Sequence, residues 1–294
     1  MINWDQLKEY VDYCHQKNIK FNYLLNALCL GGKEFEKDFH IEVIQLLDRI
    51  VEGNVDGVTV ASPYLCEIIH EQYPSLYVSI SVYNKVDSMR QIKYWHDIGA
   101  DEITLDQRVN RNFGKLEKLF LYAKDLNINL RLIANNSCLH DCPFHGNHAV
   151  SHCHGSKSDE DDRILHFDYQ ILNCNLIKIK DPSKIMSSGW IRPEDIKYYE
   201  ELCDKVGYKG LSIKLTERGR NTEWLSRVAK AYSERKYDGN LLDIINYVGK
   251  SNTYGKLNDK GIDNAIKTMK YNASKVNNYR KSIFMIYHTL IILN

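Results

Sequence analysis

"YVSISVYNKVDSMRQIKYWHDIGADEITLD", residues 77–106, decides the fold class. Its first part, from Tyr77, alternates β-branched or apolar residues with small polar ones, as a strand does. The segment "SMRQIKYWHDIGA" then places Ile92, Trp95 and Ile98 at helical spacing and stops at Gly99, a helix-ending residue. "EITLD", from Glu102, is strand-like again. A strand, a helix and a strand in so short a span imply parallel pairing through a right-handed crossover.

The same unit recurs on both sides. Further strands are expected at "FNYLLNA" from Phe21, "GVTVAS" from Gly57, "LRLIAN" from Leu130, "LIKIK" (Leu176–Lys180) and "LSIKL" from Leu211, and the chain opens on a helix over Trp4–Gln16. No glycine-rich phosphate loop follows any of these strands, which favours an α/β, TIM-like (β/α) barrel over an open doubly wound sheet. Seven clear strands are visible. A full barrel needs one more, so the barrel is expected to be incomplete at its N-terminus. Active sites of such barrels lie at the C-terminal ends of the strands. Cys29 follows the first strand, Asp106 ends the fourth, and Cys138 and Cys142 follow the fifth.

Two regions are expected: a barrel-like domain over 1–249 carrying the cysteines, and a basic extension over 250–294. Between Lys250 and Lys281 eight Lys/Arg face only Asp259 and Asp263, which reads as a solvated surface and leaves RNA open as a partner. The net charge of +1 gives no global basic footprint for nucleic acid or acidic lipid. "SKSDEDD" (Ser156–Asp162) reads as an exposed loop. The N-terminus lacks a basic segment followed by an apolar run. The longest apolar run, Ser282–Leu293, contains His288 and is too short to span a bilayer comfortably. A cytoplasmic protein without a membrane span is expected, and its eight cysteines therefore point to metal or buried thiols rather than disulfides.

"NNSCLHDCPFHGNHAVSHCHGS", residues 135–156, concentrates the chemistry. Thiolates suit zinc and iron–sulfur clusters. Cys138 and Cys142 are close enough to bind one centre from one loop, whereas Cys153 and Cys174 follow at loose spacings unlike paired zinc knuckles. With distant Cys29 the pattern fits a cluster held across several loops; Cys138, Cys142, His148 and His152 would instead make a zinc site. A cysteine–histidine catalytic pair has no nucleophile signature here. Cys14, Cys66 and Cys203 sit in helix-like segments and read as buried small residues.

In "SSGWIRPEDIKYYEE" (187–201), Pro193, Glu194 and Asp195 make an ordinary helix start. Trp190 and Arg192, just before it, are candidates to stack on and fork onto a carboxylate substrate. In "KLTERGRNTEW", Arg218 and Arg220 follow the last strand and are candidate anion binders.

Together with "FNYLLNALCLGGKEF" and "TEWLSRVAKAYSERKYDGN", these motifs resemble the collagenase-like proteins of unassigned peptidase family 32, in a short single-domain branch, over about residues 5 to 245. The resemblance implies a barrel-like fold, a 4Fe–4S cluster in the better-understood members, and oxygen-independent hydroxylation in ubiquinone synthesis or RNA modification, with prephenate implicated as hydroxyl donor. It implies Cys29, Cys138, Cys142 and Cys174 as cluster ligands, with Cys153 in reserve. The function expected from it is oxygen-independent oxidation of a small-molecule substrate. Arg192 and Arg218 would bind a carboxylate cosubstrate, Asp106 and His140 would transfer protons, and Trp190 and Glu194 would contact the cofactor. A metal- or thiol-dependent peptidase acting on a peptide, and a non-enzymatic cluster protein that pairs with a fuller homologue, are the rival readings. The sequence departs from the branch in three places. Its first strand and "GGGR"-like segment are missing, Glu217 stands for the usual glycine before Arg218, and His145 stands where an arginine often follows "CPF".

Overall fold

A computed structural model describes residues 3–155, 169–181, 183–217 and 220–245. The basic extension, the apolar run near the end, the Ser156–Asp162 loop and Arg218 lie outside the described residues. In chain order the elements are α1 (Trp4–Gln16), β1 (Asn22–Leu25), α2 (Lys37–Glu52), β2 (Gly57–Val60), α3 (Pro63–Gln72), β3 (Tyr77–Ile80), α4 (Met89–Asp97), β4 (Glu102–Thr104), α5 (Phe113–Leu126), β5 (Asn129–Ile133), α6 (His145–Gly155), α7 (Tyr169–Lys180), the single turn α8 (Ser183–Met186), α9 (Ile196–Val206), β6 (Leu211–Lys214) and α10 (Thr222–Ser233). The chain divides into two compact units, Met1–Leu132 with Glu201–Ile213, and Ile133–Glu200 with Lys214–Asn294.

The first unit carries nearly all of a six-stranded sheet in the order β1-β2-β3-β4-β5-β6. The pairs from β1 to β5 are parallel, with Thr59 opposite Ser79, Ser79 opposite Glu102 and Thr104 opposite Arg131. Each strand lies beside its sequence predecessor. That order is consistent with a (β/α) barrel, whereas a doubly wound sheet reverses its order partway.

Helix starts and stops follow from local chemistry. Asn3 caps α1 in a reciprocal capping box with Gln6, and Leu7, Val11 and Cys14 form its buried stripe. Ser88 caps α4. The chain leaves α4 through Gly99 at φ +99°, against the ring of His70, so a side chain there would be both strained and blocked.

The two faces of the sheet differ sharply in chemistry. Val58, Val60, Val78, Ile80, Ile103, Leu105, Leu130 and Leu132 are buried on one face, with Leu47, Ile50, Ile69, Ile92, Leu116 and Phe120 of the helices also buried. The alternate residues Thr59, Ser79, Glu102 and Thr104 are equally buried but polar. Parallel strands covered on both faces usually read as unbroken apolar runs; these alternate because the second buried face is a hydrogen-bonded layer. Thr59 Oγ1 donates to Asn22 Oδ1 at 2.6 Å, and Ser79 and Ser212 both donate to Glu102, at 3.0 and 2.8 Å. Arg131 pairs with Glu102 and donates to Ser212 at 3.1 Å.

One expected strand is corrected: "LIKIK" is the last part of α7. Its alternation is too brief to separate strand from helix. The residues from Tyr169 onward extend the helix into it, and the Asp181 N–H continues the pattern by donating to the Ile177 carbonyl at 3.0 Å. The described residues therefore hold six strands where seven were expected. Among the described residues no helix is long and apolar enough to cross a membrane.

Candidate cysteine site

The second unit begins at the end of β5, and three side chains fix the segment that follows. Asn135, fully buried, accepts from the Thr216 N–H at 2.8 Å and its hydroxyl at 3.1 Å. The Ala134 carbonyl accepts from the Ile191 N–H at 2.7 Å, and the Ile191 carbonyl accepts from the buried Tyr232 hydroxyl at 2.7 Å. Residues 134–137 are thus held in place just before Cys138. The histidine-rich stretch beyond them is helical from His145.

Cys138, Cys142 and Cys174 come together in this unit. Burial pushes the Cys138 thiol up to about 11; the Lys178 ammonium draws it down, the Cys174 and Cys142 thiols push it up, and the Asn136 amide, 3.5 Å from its sulfur, lowers it. Two thiols and one ammonium therefore act on Cys138. Lys178 is 8 % exposed, lies one helical turn after Cys174 on α7, and donates to the buried Ser137 hydroxyl at 3.3 Å. Sequence reasoning missed Lys178 because it fell within the misassigned strand. Read as a helix, the four-residue step from Cys174 would have exposed it.

None of the eight cysteines, all among the described residues, is in a disulfide. Cys29 is half-buried and follows β1 in the first unit. Cys153 is buried in α6, with its thiol directed at the Ala149 carbonyl of its own helix at 3.2 Å. Among the described residues no three His, Cys, Asp or Glu side chains converge tightly enough to grip a single ion.

Each of the remaining candidates has partners of its own. Asp106 is buried at the end of β4 and accepts from the Arg108 N–H and Nε, each at 2.9 Å, so its carboxylate orients a half-exposed guanidinium. His140 is well exposed, 3.4 Å from Asp141. The Arg192 fork closes on Asp195 at 2.8 and 2.6 Å. Trp190 is buried, its indole N–H donating to the Ile185 carbonyl at 2.9 Å, and Glu194 accepts from the Tyr237 N–H at 2.7 Å. Trp190 and Glu194 thus have structural partners in the second unit. Glu217 takes φ +76°, the left-handed region that favours glycine.

Residues 1–239 match the sequence profile of Peptidase family U32. An uncharacterized protease of Methanocaldococcus jannaschii is 27% identical over 270 residues, which is 91% of this chain and 76% of that protein. A solved structure of a U32 peptidase superposes with a TM-score of 0.50 at 21% identity, covering 72% of this chain and 75% of that one, a likeness of fold.

Proposed function

This chain belongs to Peptidase family U32, and from that premise we propose that it is an iron–sulfur enzyme that oxidises or hydroxylates its substrate without molecular oxygen. The observation that carries the proposal is the gathering of the Cys138, Cys142 and Cys174 thiols beside a buried ammonium. Those three cysteines would hold a 4Fe–4S cluster. Cys153, turned onto its own helix, is the reserve. Bound there, the cluster supplies one-electron chemistry whose potential is set by charge, burial and hydrogen bonds to sulfur. The protein's share is to bind and orient a carboxylate cosubstrate such as prephenate. Arg192 and Arg218 remain the candidates for that task. Asp106 and His140 remain the candidates for proton transfer.

The family's name and the relative's name suggest peptidase activity instead. A thiol peptidase needs a cysteine lowered towards the thiolate by a histidine or another cation. Cys138 is raised, by burial first, which opposes that role.

Anaerobic purification followed by visible spectroscopy and iron and sulfide analysis tests the proposal. Brown protein with roughly four irons and four sulfides per chain is the expected result. A colourless chain carrying one zinc, or one cleaving peptides without iron, overturns it.

A further inference from the structure

We infer that Lys178 is the built-in counter-cation of the cysteine site, a group that holds up the reduction potential of whatever iron–sulfur centre the cysteines carry. The inference rests on the cluster reading above and adds to it a residue with a measurable role.

An ammonium is among the groups least often buried, because its charge loses hydration that only a partner can replace. Lys178 is 8 % exposed, yet among the described residues it forms no ion pair, and its hydrogen bond goes to the neutral hydroxyl of Ser137. A neutral hydroxyl does not balance a buried charge. Among the described residues, the acid on which its charge acts is Cys138. Cys174 is one turn back on the same helix, and the Lys178 charge acts directly on Cys138. In the thiol form these cysteines leave the cation without an ion-pair partner among the described residues. Ligating thiolates and a net-negative cluster would supply one. Ser137 fixes the direction of the ammonium, since it is fully buried and adjoins Cys138.

A fixed positive charge stabilises the reduced, more negative state of a nearby centre over the oxidised one, so removing it lowers the potential. The cost of a buried lysine is then understandable as part of the site, and its burial points to an anionic occupant independently of the cysteine spacing.

The test compares full-length wild type, Lys178→Met, Lys178→Arg and Lys178→Gln, each reconstituted anaerobically with ferrous iron and sulfide. Metal and sulfide contents are measured, then midpoint potentials by spectroelectrochemical titration. Lys178→Met is expected to shift the reduced-to-oxidised ratio at fixed potential at least tenfold towards oxidised, about 59 mV for one electron. Lys178→Arg should hold most of the wild-type value. Lys178→Gln keeps a donor for Ser137 without the charge, and replaces Lys178→Met in the comparison if the latter fails to fold. Loaded variants with the wild-type potential overturn this inference alone. A wild-type chain that takes up no iron and sulfide overturns the cluster reading and this inference with it.

Discussion

Arg131 on β5 reaches across to Glu102 on β4 and closes an ion pair within the polar face of the sheet. Glu102 is almost wholly buried and also receives the Ser79 and Ser212 hydroxyls, so one carboxylate ties together residues of β3, β4, β5 and β6. Truncating one member leaves the other charge buried and uncompensated. Arg131→Met is expected to cost about 3 kcal/mol, read as a lower urea midpoint at unchanged slope. Adding Glu102→Gln to it should recover part of that loss. A double variant as unstable as the sum of the two singles would refute the coupling.

Ligand substitutions should separate the cysteines by role. Cys138→Ala, Cys142→Ala and Cys174→Ala are each expected to abolish or severely reduce iron uptake, measured by iron content after anaerobic reconstitution. Cys153→Ala should load like wild type and lose only about 1 kcal/mol of stability through a small buried void. Full loading of Cys174→Ala would remove α7 from the site.

Position 217 carries backbone strain in a non-glycine residue. The left-handed conformation costs roughly 1–2 kcal/mol there, and glycine returns part of that gain as unfolded-state entropy. Glu217→Gly is therefore expected to raise stability by up to about 1 kcal/mol, seen as a higher melting temperature. A lower one would mean that the Glu217–Arg220 contact at 3.4 Å outweighs the strain.

Asp56 offers a test in acid. Burial alone would raise its pKa, but the His15 ring at 2.8 Å, the Phe21 N–H at 2.6 Å and the charges of His15 and Lys20 together bring it below the ordinary value. A carboxyl lowered in the folded state stabilises the protein above its unfolded pKa of about 3.9, and that stability is lost as pH falls through the folded value. Asp56→Asn should cost about 1 kcal/mol near neutrality, with the gap to wild type closing below about pH 4. Equal differences at pH 7 and pH 3 would show that the carboxylate's charge contributes nothing.

The strand–helix alternation of residues 77–106 was legible because its apolar periodicity changes from two to helical within one unit. The opening helix was legible to its last residue for the same reason. Cys138 and Cys142 stood out as candidates through spacing alone. "LIKIK" misled because two lysines happened to alternate with isoleucines, and a lysine is read by default as exposed. The same default hid Lys178. Neither the burial of a charge nor the partner of Asp106 is written in local pattern; both depend on what the fold brings alongside. The polar layer was partly visible in "YVSIS" and "EITLD", whose alternation predicted a strand but could not say that the polar side would be enclosed.

That enclosed layer also bears on how the strands find their alignment. Strands apolar on both sides could slide past one another with little penalty. Here a one-residue slip would bring Ile103 to the place of Glu102, setting a charge among the helices and stranding Arg131 without its acid. A two-residue slip would keep the faces but part Glu102 from Ser79. Misaligned sheets are thus penalised on both sides at once, so the chain discriminates among its own wrong pairings while it folds.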